Sequence, residues 1–128
     1  MNGHEQLINV KLKKDGTTLN EASVLINNNF WNASVNRTYY ACFYAVGALL
    51  LTKDIKPVTH KGIQTMFNKQ FVLNGTFPRE LSKFYSNLYG SRHLGDYGDF
   101  IDFDEGTAKG FFSTAKVFIA EIESIIKK

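Results

Sequence analysis

The sequence predicts an all-α fold, an antiparallel up-and-down bundle of four to five helices. Three observations carry that expectation. Apolar residues recur at spacings of three and four along most of the chain, no stretch sustains the alternation of a strand, and the connections between periodic stretches are short. With 128 residues, 44% of them hydrophobic and 21% charged, the chain has the composition of one soluble globular domain spanning 1–128, large enough to bury a core without staples.

The first helix is expected from His4 to about Asn28, with Leu7, Ile8 and Leu12, then Leu19, Ala22 and Ile26, on one stripe. Asp15 and Gly16 interrupt that stripe, so the segment is either one long helix or a short arm followed by a helix. Asn27, Asn28 and Asn29 end it, because asparagine accepts the left-handed conformation at a helix C-terminus. The second helix runs from about Trp31 to Lys53. At 100° per residue Arg37, Tyr40, Tyr44 and Leu51 share one side, while Tyr39, Phe43, Val46 and Leu50 occupy another. A helix that is apolar all round is a central one. Ala41, Ala45 and Ala48 form a small-residue row that lets one neighbour approach closely.

Pro57 closes the following connection and Thr59 caps a third helix carrying Ile63, Met66, Phe67 and Phe71. Asn74 and Gly75 signal a turn. Thr76 and Pro78 open a fourth helix striped with Leu81, Phe84, Tyr85 and Leu88. Regular helix is expected to stop somewhere between Gly90 and Phe103, a segment with three glycines and three aspartates. Asp104 caps the fifth helix, whose stripe is Ala108, Phe111, Ala115, Phe118, Ile122 and Ile125.

Several functional classes drop out. The longest run without a charged or strongly polar residue, Tyr39 to Leu51, has thirteen residues, short of the ~20 that span a bilayer, so no membrane partner is expected. No basic, apolar leader opens the chain and the single cysteine, Cys42, cannot form an internal disulfide; both point to the cytoplasm. The histidines His4, His60 and His93 do not make a metal-binding spacing, and the aspartates between 96 and 104 lack the fixed positions of an EF-hand. No metal and no cofactor are expected. Five of the twelve acids lie between Asp96 and Glu105, so the rest of the chain carries 15 basic against 7 acidic residues, which makes either a solvated lysine surface or one that attracts nucleotides or nucleic acid.

Three places can hold chemistry. Arg37 sits one turn into a helix that is apolar from there on, and its guanidinium must reach water or meet a carboxylate. Most of the carboxylates on offer follow Arg92, so Arg37 is either locked to an aspartate there or floors an anion-binding cleft. Arg92, Asp96 and Tyr97 share a face if helix persists to Tyr97, being four and five apart. They then form either an ordinary ion pair backed by an aromatic or a group that holds a phosphate or a ribose hydroxyl. His60 and Lys61 lie at the start of the third helix, an end that either holds only water and its cap or offers free N–H groups to an anion, with Gly62 allowing close approach of a backbone or a ligand.

Taken in order, residues 36–45 (Asn36, Arg37, Thr38, Tyr39, Tyr40, Ala41, Cys42, Phe43, Tyr44, Ala45), residues 59–62 with 67–72, and residues 92–97 resemble the HEPN family of small all-α prokaryotic proteins. The resemblance covers roughly Leu7 to Ile126 and is nearest to stand-alone members encoded beside a minimal nucleotidyltransferase. It implies a HEPN-like bundle that forms a homodimer, with a polar motif facing a shared cleft. Many members are metal-independent ribonucleases acting as toxins or defence effectors, with a signature of arginine, four to six residues, then histidine. Arg92 takes the arginine's place, but Tyr97 stands where the histidine is expected and His93 directly follows Arg92. A tyrosine, with an ordinary pKa of about 10, exchanges protons poorly near neutrality. The leading expectation is therefore a nucleotide- or RNA-binding partner of a nucleotidyltransferase, using Arg37, Tyr40, His60, Lys61 and Arg92, with Tyr97 as the candidate for modification by that transferase. The alternatives are a ribonuclease with a degenerate motif of Arg92, Asp96 and Tyr97, and an inert dimerisation scaffold.

Overall fold

The computed structural model describes residues 3–97 and 102–127, with the backbone alone for 93–97. Among the described residues five α-helices follow in order: α1 (Gly3–Asn27), α2 (Trp31–Leu51), α3 (His60–Phe67), α4 (Arg79–Tyr97) and α5 (Glu105–Ile126), with a single π-helical turn at Asn68–Val72 between α3 and α4. No strand occurs among the described residues, and the all-α expectation holds. None of these helices is long and apolar enough to cross a membrane.

α1 is one continuous helix through Asp15 and Gly16. A mid-helix glycine costs about 1 kcal/mol relative to alanine, and the packing of Ile8, Ala22 and Ile26 offsets it. Asn29 then adopts φ 65°, the left-handed stop expected of the asparagine run. Asp15 itself is buried, 1% exposed, and its Oδ2 has no hydrogen-bond partner. Burial, reinforced by Glu123 of α5, pushes its pKa up from 3.8 to about 7.

α2 is the central helix and packs against α1, α3, α4 and α5. Ala41, Ala45 and Ala48 are completely buried, and so are Val46, Leu49 and Leu50. Ile8 of α1 packs with Ala48 and Leu51, a small satellite of the main core. Where α3, α4 and α5 converge on α2 the core is aromatic. Phe67 lies 4.9 Å from Phe77, Phe77 5.2 Å from Phe118, and Tyr85 stacks on Phe118 at 5.3 Å, all between ring centroids. Edge-on and offset contacts of this kind add about 1 kcal/mol each to their buried area.

Local signals place α3 and α5. The Thr59 hydroxyl accepts from the Gly62 N–H at 2.9 Å, and Asp104 Oδ1 accepts from Thr107 N–H at 2.7 Å. Gly62 is needed for the cap rather than for a ligand, since a Cβ there would meet Thr59 Oγ1 at 2.9 Å. The π turn is not foreshadowed by the apolar spacing. Its extra residue leaves backbone groups to satisfy: Lys53 Nζ donates to the Gln70 carbonyl at 3.2 Å and Phe77 N–H to the Phe71 carbonyl at 2.9 Å. Ser82 of α4 donates to Asn68 Oδ1 at 2.6 Å, holding α4 against the turn. Helix α4 persists to Tyr97, as the reading of Arg92, Asp96 and Tyr97 requires, although the side chains of Asp96 and Tyr97, and all of Asp99, lie outside the described residues.

Asp15 makes stability pH-dependent. Its folded pKa lies above its unfolded value, so the folded state holds an extra proton between about pH 4 and pH 7 and loses stability as pH rises through that window. Asp15→Asn should raise the melting temperature by several degrees at pH 8 and by much less at pH 5. Equal shifts at both pH values would show that Asp15 titrates normally.

Candidate functional site

Arg37, on the first turns of α2, is only 35% exposed at its side chain. Its Nε and Nη2 both donate to Asn36 Oδ1, at 3.1 and 2.9 Å, and Glu21 of α1 lies 3.9 Å from Nη1. Among the described residues, the carboxylate that answers Arg37 therefore comes from α1. Antiparallel packing sets Glu21 opposite Arg37, and the described aspartates are used elsewhere. Asp102 accepts from Asn32 Nδ2 at 3.2 Å while Asn32 Oδ1 accepts from Phe103 N–H at 2.8 Å, and Asp104 caps α5.

Arg92 arrives from α4 at the same place. Its Nη2 donates to the Tyr40 hydroxyl at 3.0 Å. Its guanidinium carbon lies 5.2 Å from the Tyr40 ring centroid and 5.5 Å from that of Tyr39. The Arg37 guanidinium carbon lies 5.0 Å from the same Tyr40 ring. One phenol thus gathers two permanent cations from two helices, an arrangement that its negative ring face favours. Two cations gathered on one ring repel each other, so an anion bound beside that ring gains from both.

His60, the first residue of α3, completes the cluster. Its ring stacks on Phe43 at 4.3 Å and meets Tyr40 edge-on at 5.8 Å. Its Nδ1 lies 2.7 Å from the Tyr39 hydroxyl. Tyr39 is fully buried and stacked on Tyr85 at 5.9 Å. Burial, partly opposed by Arg92, pushes the Tyr39 hydroxyl well above its usual 10. The phenol therefore keeps its proton; with that proton given to Nδ1 the imidazole N–H would sit on Nε2, while a proton on Nδ1 would leave Nε2 as the free nitrogen. Burial, then the charge of Arg92, holds the pKa of His60 below the ordinary 6.5, so the ring is neutral at pH 7.

The structure thus brings together Arg37, Tyr40, His60 and Arg92, four of the five residues expected to bind a nucleotide or RNA. Lys61 is exposed on α3 and no contact ties it to the cluster. The α3 N-terminus spends one of its free N–H groups on its own Thr59 cap, and its histidine faces Tyr39 instead of the helix end. Sequence reasoning missed Glu21, Tyr39 and Phe43. Tyr39 and Phe43 look like core in the sequence, which they also are. Among the described residues no group of histidines, cysteines and acids is placed to hold a metal ion, and Cys42 is buried with its thiol pushed up by burial.

Fold and cluster together define an all-helical bundle protein that presents paired guanidiniums over a tyrosine pair. The family profile described as HEPN domain matches residues 12–125, and the chain belongs to the HEPN family. It is similar along almost its whole length to a UPF0332 protein of Thermotoga maritima, with 37% identity over 127 residues, 99% of this chain and 96% of that protein. Two proteins of Methanocaldococcus jannaschii are also similar. "Putative toxin MJ0142" is 32% identical over 108 residues, 84% of this chain and 74% of its own. "Putative toxin MJ0605" is 31% identical over 110 residues, 86% and 81% respectively.

Nitrogen-15 spectra should show His60 as the neutral Nε2–H tautomer at pH 7, titrating below pH 6.5. Tyr39→Phe, which removes the donor to Nδ1, should cost about 1 kcal/mol of stability in urea unfolding and abolish the tautomer preference. An unchanged tautomer ratio in that variant would remove Tyr39 from the site.

Proposed function

We propose that this HEPN protein binds the phosphate of a nucleotide or RNA between Arg37 and Arg92 and acts, as a homodimer, in a toxin-type two-gene module with a minimal nucleotidyltransferase. The observation that carries the reading is the convergence of both guanidiniums on the Tyr40 ring, with the neutral His60 beside them. Similarity to proteins named as toxins supports the toxin-type role. In this reading Arg37 and Arg92 neutralise the phosphate, His60 Nε2–H lends a neutral donor, and Lys61 adds charge at the margin. Tyr97, five residues beyond Arg92, is the tyrosine that the transferase modifies.

Binding is favoured over cleavage by one observation. The imidazole next to Arg92 has its Nδ1 engaged by Tyr39, and burial together with the charge of Arg92 lowers its pKa, which makes it a weak base. A general base for the ribose 2′-hydroxyl would need a free, basic nitrogen. The ribonuclease alternative then rests on Arg92, Asp96 and Tyr97 alone.

Arg92→Ala and Arg37→Ala should each weaken binding of adenosine 5′-monophosphate at least tenfold in calorimetry, with the larger loss for Arg92. Unchanged affinity in both variants would remove the arginine pair as the phosphate site. Incubation with the neighbouring transferase and ATP should add one nucleotide mass per chain, lost in Tyr97→Phe. A transferase active on itself that leaves this protein's intact mass unchanged would end the partnership reading. RNA cleavage in EDTA that disappears in Arg92→Ala would replace binding by the ribonuclease alternative.

A further inference from the structure

The cationic and aromatic character of the cluster does not stop at Tyr40. One turn further along α2, Tyr44 continues the series with its ring centroid 6.1 Å from that of Tyr40. Lys14 of α1 sets its Nζ 4.6 Å from the Tyr44 centroid. Three residues on, Gly47 leaves room for the next cation: a Cβ there would lie 3.6 Å from Lys11 Cδ and 3.8 Å from its Nζ. The antiparallel register makes the series regular. Arg37 faces Glu21, Tyr44 faces Lys14 and Gly47 faces Lys11, each step forward on α2 matched by an equal step back on α1. Past Gly47 the surface opens into a cavity of about 250 Å³ whose walls include Leu7, Leu51 and Ile63, with Lys11 and Lys56 also lining it.

Charge and length choose the occupant. Arg92, Arg37, Lys14, Lys11 and Lys56 follow one another along this face. Among the described residues, the carboxylates paired with them are Glu21 against Arg37 and Asp54, 3.8 Å from Lys56. Cations therefore dominate. The helix rises about 10 Å from Arg37 to Tyr44 and about 15 Å to Gly47, so the second cationic station lies beyond the reach of a ligand with one phosphate. Stacked nucleotides advance about 3.4 Å each along a strand, and 15 Å matches about four. The Tyr40 ring is taken by the two guanidiniums, whereas Tyr44 is a half-buried floor residue with Lys14 over its ring, able to stack an unpaired base but not a paired one.

We infer that the face of α2 from Arg37 through Tyr44 to Gly47, flanked by Lys14 and Lys11 of α1, is a track for about four nucleotides of single-stranded nucleic acid. Tyr44 stacks a base, and the lysines hold phosphates beyond the one at the arginine pair. The inference rests on the phosphate reading of Arg37 and Arg92 and extends it from one phosphate to a chain.

The test is a fluorescence-anisotropy titration of the full chain with fluorescein-labelled hexauridylate, competed by uridine 5′-monophosphate and by unlabelled hexauridylate. The hexamer should bind at least tenfold tighter than the monophosphate. Lys11→Gln with Lys14→Gln should weaken the hexamer and leave the monophosphate unchanged, and should lower the slope of log affinity against log salt by about 1.4. Tyr44→Ala should weaken the hexamer about fivefold or more while Tyr44→Phe does not. Because the lysines and Tyr44 are at least partly exposed, matching melting temperatures confirm that the variants fold. Equal binding of hexadeoxyuridylate supports recognition through phosphate and stacking, and preference for the RNA supports an added contact to the 2′-hydroxyl. Hexamer and monophosphate binding alike, lysine variants binding the hexamer as the parent does, or a duplex binding as tightly, each overturns the track. If the lysine variants are silent but Arg37→Ala and Arg92→Ala still weaken the monophosphate, the track fails and the phosphate site stands. If the arginine variants are silent as well, both readings fail.

Discussion

A guanidinium cannot be abandoned in a hydrocarbon interior, and α2 carries one just where the helix becomes apolar on every side. Most of the local architecture answers that demand. Asn36 turns its carboxamide oxygen to Arg37, Glu21 approaches from α1, and the Tyr40 ring lies beneath the charge. The same ring and its hydroxyl receive Arg92, so the solution found for one cation becomes the seat of a second. What begins as a burial problem ends as a concentration of positive charge with a polar, water-accessible face.

The aromatic layer beneath determines how that charge is used. Tyr39 is anchored on Tyr85, and Tyr85 on Phe118, so the phenol that orients His60 is tied through rings to α5 in the core. This packing engages one imidazole nitrogen and keeps the ring neutral at pH 7. A histidine in water would share its proton between two nitrogens and gain charge near pH 6.5. Here one nitrogen is committed and charging is disfavoured by burial and by Arg92.

The helices were legible because each carries its own periodicity and its own punctuation: Thr59 and Asp104 as caps, Asn29 as a stop, Gly75 with φ 81° in the turn after the π segment. That Arg37 and Arg92 meet was also legible, since α2 has too little polar surface to house Arg37 alone. Its carboxylate partner was not. Glu21 belongs to α1, and the register between two helices is written in neither stripe by itself. His60 stood out as a helix-start residue, yet its partnership with Tyr39 depends on the angle at which α3 crosses α2. The π turn escaped because Phe67 and Phe71, four apart, fit an ordinary α-helix equally well.

That widened turn has a consequence for the site. A π segment amounts to one residue inserted into an α-helix, and each residue turns the chain by about 100°. Asn68–Val72 lies between α3, which supplies the imidazole, and α4, which supplies the second arginine. Removing a single residue there would regularise the helix and swing the α3 start around its axis relative to Ser82 and the rest of α4. The imidazole would leave the phenol while both arginines stayed where they are. The loss or gain of one codon at this turn is thus a mutational step that separates the neutral donor from the paired cations without disturbing the central helix.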